Sequence, residues 1–106
     1  MTNGWLVLGF AVITEIVWAL SLKFVQNHPQ HWLIVVPYLL TFANMALLSL
    51  AMRSIPAGTA YAIWTGLGVV GVTLGGIIWF GDPVSPTRIM LLTIISCCVV
   101  GLKLTA

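Results

Sequence analysis

Residues 4–22 read GWLVLGFAVITEIVWALSL, an apolar run interrupted by a single ionisable side chain, Glu15. A run of ~20 apolar residues crosses a ~30 Å hydrocarbon layer as a helix. Glu15 lies 11 residues after Gly4, which is ~16 Å along a helix axis and close to the bilayer midplane. This stretch therefore predicts a membrane-spanning helix with one carboxyl group near its centre.

Three more apolar segments follow, over about residues 31–52, 57–80 and 86–104, and short polar or proline-containing links join them. The runs are too long and too uniformly apolar for spanning β-strands, and lipid favours helices because their backbone hydrogen bonds are internal. We therefore predict an all-α integral membrane protein, a single domain over residues 1–106 with four transmembrane helices (about 4–22, 31–52, 57–80 and 86–104). The links are so short that neighbouring helices must run antiparallel in a small bundle.

Composition excludes several classes of protein. Hydrophobic residues make up 60% of the chain and charged residues 6%, with a mean hydropathy of +1.12, whereas about a quarter of a soluble chain is charged. No basic patch is present, so we expect no nucleic acid partner. No nucleophile–base pair or metal-ligand cluster is present, so we expect neither an enzyme nor a cofactor or metal.

Glu15 is the residue around which a function can be built. A charge at the midplane costs at least ~2.5–3.5 kcal/mol, a cost that Asp82 avoids because it lies in a loop. A carboxyl group at that depth can exchange a proton for a cation, which is the chemistry of a proton-coupled transporter. The alternatives are a permanently protonated Glu15 that bonds a neighbouring helix, a channel, and a small structural subunit.

Aromatic residues lie near this carboxyl group by helical spacing. Trp18 is one turn after Glu15, and Tyr61 and Trp64 repeat the same spacing in the third segment. Such rings attract cations, although aromatic anchors at the membrane interface give the same pattern. The third segment also carries small residues that favour close packing or bending of the helix: Gly66, Gly68, Gly71, Gly75 and Gly76.

Asn44 is the other polar side chain at mid-depth, in the second segment. Its amide can orient Glu15, accept an N–H of a substrate, or bond a neighbouring helix. The hydroxyl residues of the spans, Thr41 among them, can bond their own backbone, so we assign them no function.

The basic residues give no preferred orientation. Arg53 and Lys103 fall on one side of the predicted membrane, and Lys23 and Arg88 fall on the other. Either some other feature sets a weak bias, or the chain inserts in both orientations and opposite copies pair antiparallel.

Two segments carry a resemblance to a known family, EIVWALSLK at residues 15–23 and IPAGTAYAIWTGLG at residues 55–68. With these segments the chain resembles the small multidrug resistance family over essentially all 106 residues. Trp18, in the pattern W-A-x-x-L-K, and the sequence Gly-Leu-Lys at residues 101–103 resemble the guanidinium exporter subtype of that family.

The resemblance implies a dual-topology, antiparallel homodimer in the bacterial inner membrane, in which both copies of Glu15 face one pocket. It implies proton-coupled export of guanidinium or small guanidinyl cations, with polyspecific export of quaternary ammonium compounds as the alternative. It also assigns Trp18, Tyr61 and Trp64 to the binding site. For the exchange at Glu15, we expect the Trp18 indole N–H to hold the carboxylate in the orientation that binds guanidinium. The subtype usually has serine at the position of Asn44, so this departure bears on substrate preference.

Overall fold

The computed structural model describes residues 3–105 and contains four long helices within them. These are α1 (Gly4–Gln26), α2 (Val35–Ala51), α3 (Ala57–Phe80) and α4 (Pro86–Thr105), with a 3₁₀ segment (His31–Ile34) directly before α2. By length and composition, α1, α3, α4 and the stretch His31–Ala51 can each cross a membrane. The predicted all-α architecture with four spanning helices is therefore confirmed.

The ends of α1 and α3 follow from local capping chemistry. The Asn3 side chain accepts hydrogen bonds from the N–H groups of Trp5 (3.0 Å) and Leu6 (3.4 Å), which fixes the start of α1. Gly81 ends α3 in the left-handed region, at φ 67°. The N–H groups of Gly81 and Asp82 both donate to the Gly76 carbonyl, that of Asp82 at 3.1 Å, which closes the last turn.

Prolines set the starts of the other two helices. Pro37 lacks an N–H and is tolerated only in the first turn of an α-helix, which is where it lies in α2. The predicted second segment accordingly begins as the 3₁₀ turn and becomes α-helical at Val35. Pro86 opens α4, and the Ser85 hydroxyl accepts the N–H of Arg88 at 3.1 Å.

Helix α1 lies between α2 and α3, antiparallel to the first and parallel to the second. Its register against α2 is fixed at two points. The Trp18 indole bonds Thr41, and Gly4 lies against Ser54 and Ile55. Because α1 and α2 are antiparallel, Glu15, one turn before Trp18, and Asn44, one turn after Thr41, lie at the same depth.

A cluster of buried apolar residues lies at one end of the molecule. It is formed by the start of α1, the end of α2, the start of α3 and the end of α4. The buried cluster consists of Leu8, Leu48, Ala51, Ile55, Ala60, Ile63 and Val99. Glu15 lies about two turns beyond Leu8, so this apolar cluster lies between the carboxyl group and that end of the molecule.

Helix α4 does not complete the small bundle that we expected. No Cα atom of α4 lies within 8 Å of one in α1 or α2 among the described residues, and α4 packs on α3 alone. Val99 enters the space that the missing side chain of Gly66 leaves, 2.7 Å from where a Cβ would be. The result is a slab of 44 × 35 × 17 Å that leaves most of α4 exposed.

Candidate functional site

The Glu15 carboxyl group lies directly against the backbone of α3 at Gly68. A Cβ at Gly68 would collide with all three atoms of the carboxyl group. One carboxyl oxygen, Oε2, is buried and has no hydrogen-bond partner in the part of the chain that the structure describes. A buried charge needs a partner, so Glu15 is poised either to carry a proton or to receive a cation.

Asn44 lies at the depth of Glu15 on the face of α2 that is turned toward α1. Its side chain is 2% exposed, and its Oδ1 has no hydrogen-bond partner within residues 3–105. No hydrogen bond joins it to Glu15 among those residues. An unpartnered amide oxygen this deeply buried is costly, which makes it a candidate acceptor for a ligand N–H.

Trp18 does not hold Glu15, contrary to our expectation. Its indole Nε1–H donates to the Thr41 hydroxyl at 2.9 Å, and that hydroxyl donates to the Pro37 carbonyl, also at 2.9 Å. Thr41 therefore bonds its own backbone as expected, but it also anchors an aromatic residue of the candidate site. Thr41 lies one turn from Asn44, and this position identifies it as a residue of the candidate site once the register of α1 and α2 is known.

Tyr61 and Trp64 pair with each other one turn apart on α3. Their ring centroids are 5.8 Å apart and the rings are tilted by 32°. Trp64 is half-buried beside the apolar cluster, and its Nε1 is buried without a partner among the described residues. Tyr61 is 57% exposed, so this aromatic pair runs from the interior of the single chain to its surface.

The glycines of α3 serve different neighbours. Gly71 and Gly75 receive Ile16 and Leu20 of α1 within the same chain, while Gly76 lies against the Asp82 side chain. Gly68, Gly71 and Gly75 together bring the backbone of α3 close to the face of α1 that carries Glu15. The small residues thus set the position of the carboxyl group.

Residues 3–95 match the family described as Small Multidrug Resistance protein. The guanidinium exporter of Salmonella typhimurium strain LT2 is 41% identical over 103 residues, covering 97% of this chain and 98% of the relative. The guanidinium exporter of Citrobacter freundii is 42% identical over 106 residues, with 96% and 97% covered. The guanidinium exporter of Escherichia coli K12 is 40% identical over 102 residues, again with 96% and 97% covered.

These matches bear on two of the predictions. The relatives are named as exporters, which agrees with the expectation that the chain is not an enzyme. The four spanning helices and the bacterial relatives identify a multi-pass protein of the bacterial inner membrane, as predicted.

Proposed function

The chain belongs to the Small Multidrug Resistance protein family, and on that premise we propose that it exports guanidinium or small guanidinyl cations in exchange for protons. The observation that carries the proposal is the Glu15 carboxyl group near the midplane, with one buried oxygen that has no partner among residues 3–105. The relatives named as guanidinium exporters support the choice of cation.

Coupling follows from the use of one group for two ligands. A carboxylate binds a planar guanidinium through two parallel N–H···O bonds, and a protonated carboxyl group no longer attracts the cation. Because proton and guanidinium exclude each other at Glu15, release of one accompanies binding of the other. A gradient of protons across the membrane can therefore drive the cation outward.

Asn44 favours a substrate with several N–H donors. Its buried Oδ1 accepts a hydrogen bond, and guanidinium has donors left after both Glu15 oxygens are occupied. A tetraalkylammonium ion has no N–H and leaves that oxygen unsatisfied, which costs ~1–3 kcal/mol. The same argument accommodates the asparagine that stands where the guanidinium exporter subtype usually has serine.

A second candidate function is export of quaternary ammonium compounds. The tilted Tyr61–Trp64 pair, partly exposed on the single chain, favours it because aromatic faces attract cations that lack N–H groups. Comparing the transport rates of guanidinium and of tetraethylammonium in the same preparation separates the two functions.

Alternating access in an antiparallel homodimer completes the proposal. The slab is only 17 Å in its shortest dimension, which leaves little interior for a cation and a path to both sides. The even division of Lys23 and Arg88 against Arg53 and Lys103 permits insertion in either orientation. Two copies in opposite orientations place two Glu15 residues in one pocket. This pocket opens alternately to the two sides of the membrane, and protons replace the cation at Glu15 between the two states.

The test is guanidinium transport by purified protein in liposomes, measured as uptake of radiolabelled guanidinium. We expect the wild type to transport guanidinium and Glu15→Gln to be inactive, because the glutamine amide neither ionises nor binds a proton near neutral pH. Glu15→Asp keeps the charge but withdraws the carboxylate from Gly68, and it should retain weakened transport. Guanidinium uptake by Glu15→Gln as fast as that of the wild type would refute the mechanism.

A further inference from the structure

An apolar groove separates α1 from α4, with α3 as its floor. It has a volume of about 320 Å³ and lies at the end of the molecule that carries the buried cluster. The two walls have no Cα atoms within 8 Å of each other in the described part of the chain. The residues that line the groove are Trp5, Leu8, Gly9, Val12, Ile63, Leu67, Val99, Val100, Lys103 and Leu104.

The groove runs inward from the membrane interface. Trp5 and Lys103 lie within two residues of the ends of α1 and α4, and Val12 lies ~10 Å deeper along α1. Gly9 leaves the middle of the groove open, since a Cβ there would meet no atom within 4 Å. The groove therefore extends from headgroup depth into the hydrocarbon layer.

Lys103 is the one charged residue among the described residues that line the groove. Its Nζ lies 4.9 Å from the centroid of the Trp5 ring, and it forms no salt bridge within residues 3–105. Tryptophan and lysine at the end of a span lie at headgroup level. The mouth of the groove thus presents, where lipid phosphates lie, an ammonium group that has no carboxylate partner in the described part of the chain.

We propose that this groove binds an anionic phospholipid, with one acyl chain between α1 and α4 and the headgroup against Lys103. The volume is at the lower end for a small-molecule site, which suits a single hydrocarbon chain and not a helix ~10–12 Å across. Basic side chains beside grooves between spanning helices attract anionic headgroups. Glu15 does not line the groove, and the proposal does not depend on the transport mechanism.

Electron paramagnetic resonance with spin-labelled lipids tests the charge. The protein is reconstituted in phosphatidylcholine vesicles that contain spin-labelled phosphatidylglycerol or spin-labelled phosphatidylcholine, and the motionally restricted fraction is measured. One basic side chain predicts about a fivefold preference for phosphatidylglycerol, equivalent to ~1 kcal/mol. Lys103→Gln should abolish that preference, and Arg53→Gln, which removes a charge on the same predicted side of the membrane, should keep it.

A second pair of variants tests the groove itself. A Cβ at Gly9 or at Gly101 would meet no atom within 4 Å, so Gly9→Leu extends a side chain into the groove and Gly101→Leu adds the same side chain at a position of α4 that does not line it. We expect fewer restricted lipids per protein in Gly9→Leu and no change in Gly101→Leu. Equal restricted fractions in these two variants, or a preference for phosphatidylglycerol that survives Lys103→Gln, would overturn the proposal. Chemical cross-linking measures the amount of dimer in the same variants. If Gly9→Leu forms less cross-linked dimer and its lipid signal is unchanged, a second copy fills the groove and the proposal is also overturned.

Discussion

Replacing Gly68 with alanine should weaken substrate binding while leaving the fold intact. The added methyl group would take the space that the Glu15 carboxyl group now occupies. That group is the end of a flexible side chain, so it can swing away without moving either helix. Alanine is favoured over glycine in a helix by ~1 kcal/mol, and crowding costs ~1–3 kcal/mol, so the net change in stability should be no more than ~2 kcal/mol.

The effect on binding should be larger than the effect on stability. A carboxylate displaced from its position loses at least one charge-assisted hydrogen bond to guanidinium, worth ~1.5–3 kcal/mol. That loss weakens binding by about 10- to 150-fold. Isothermal titration of the purified protein with guanidinium measures the affinity, and thermal unfolding of the same sample measures the stability.

Gly58→Ala is the matched control for this experiment. Gly58 lies on the same helix, and a Cβ there would meet no atom within 4 Å. We expect Gly58→Ala to bind guanidinium as the wild type does. If Gly68→Ala binds with the same affinity as Gly58→Ala, the contact with Gly68 does not position Glu15 and the reasoning is wrong.

Three further predictions follow from the site and the charges. Asn44→Ser should keep transport and change the ratio of guanidinium to bulkier guanidinyl cations, and Asn44→Leu should weaken guanidinium binding about tenfold; unchanged affinities in both would exclude Asn44 from the site. Thr41→Val should lower guanidinium affinity because the Trp18 indole loses its acceptor, but it should have no further effect in Trp18→Phe; a full, additive loss would show that Thr41 acts independently. Reporters fused to the C-terminus should be detected on both sides of the membrane, and a single location would exclude the antiparallel homodimer.

Much of the fold follows from the sequence because lipid leaves few alternatives. Long apolar runs must be helices in a bilayer, and capping residues such as Asn3 and Gly81 mark their ends. The second segment starts as a 3₁₀ turn because Pro37, which lacks an N–H, must lie in the first turn of α2. The placement of α4 was not predictable, because a uniformly apolar helix carries no pattern that distinguishes a lipid-facing side from a packed one.

The candidate site was predictable in its residue types but not in its contacts. Glu15 and Asn44 stand out by sequence because polar groups are rare at mid-depth. The bond from Trp18 to Thr41 depends on the register between two helices, which the sequence does not specify. The contact between the Glu15 carboxyl group and the backbone of Gly68 likewise depends on how closely α1 and α3 approach each other.

The most direct test of the central claim is guanidinium transport against its own gradient. Liposomes that contain the protein are loaded with guanidinium and placed in medium with the same guanidinium concentration at a lower pH, with the membrane potential held at zero. Exchange at Glu15 predicts that protons enter and guanidinium leaves until its internal concentration is below the external one. Glu15→Gln liposomes should show no net movement. Guanidinium that stays at equal concentrations in the wild type, while protons enter, would contradict the account.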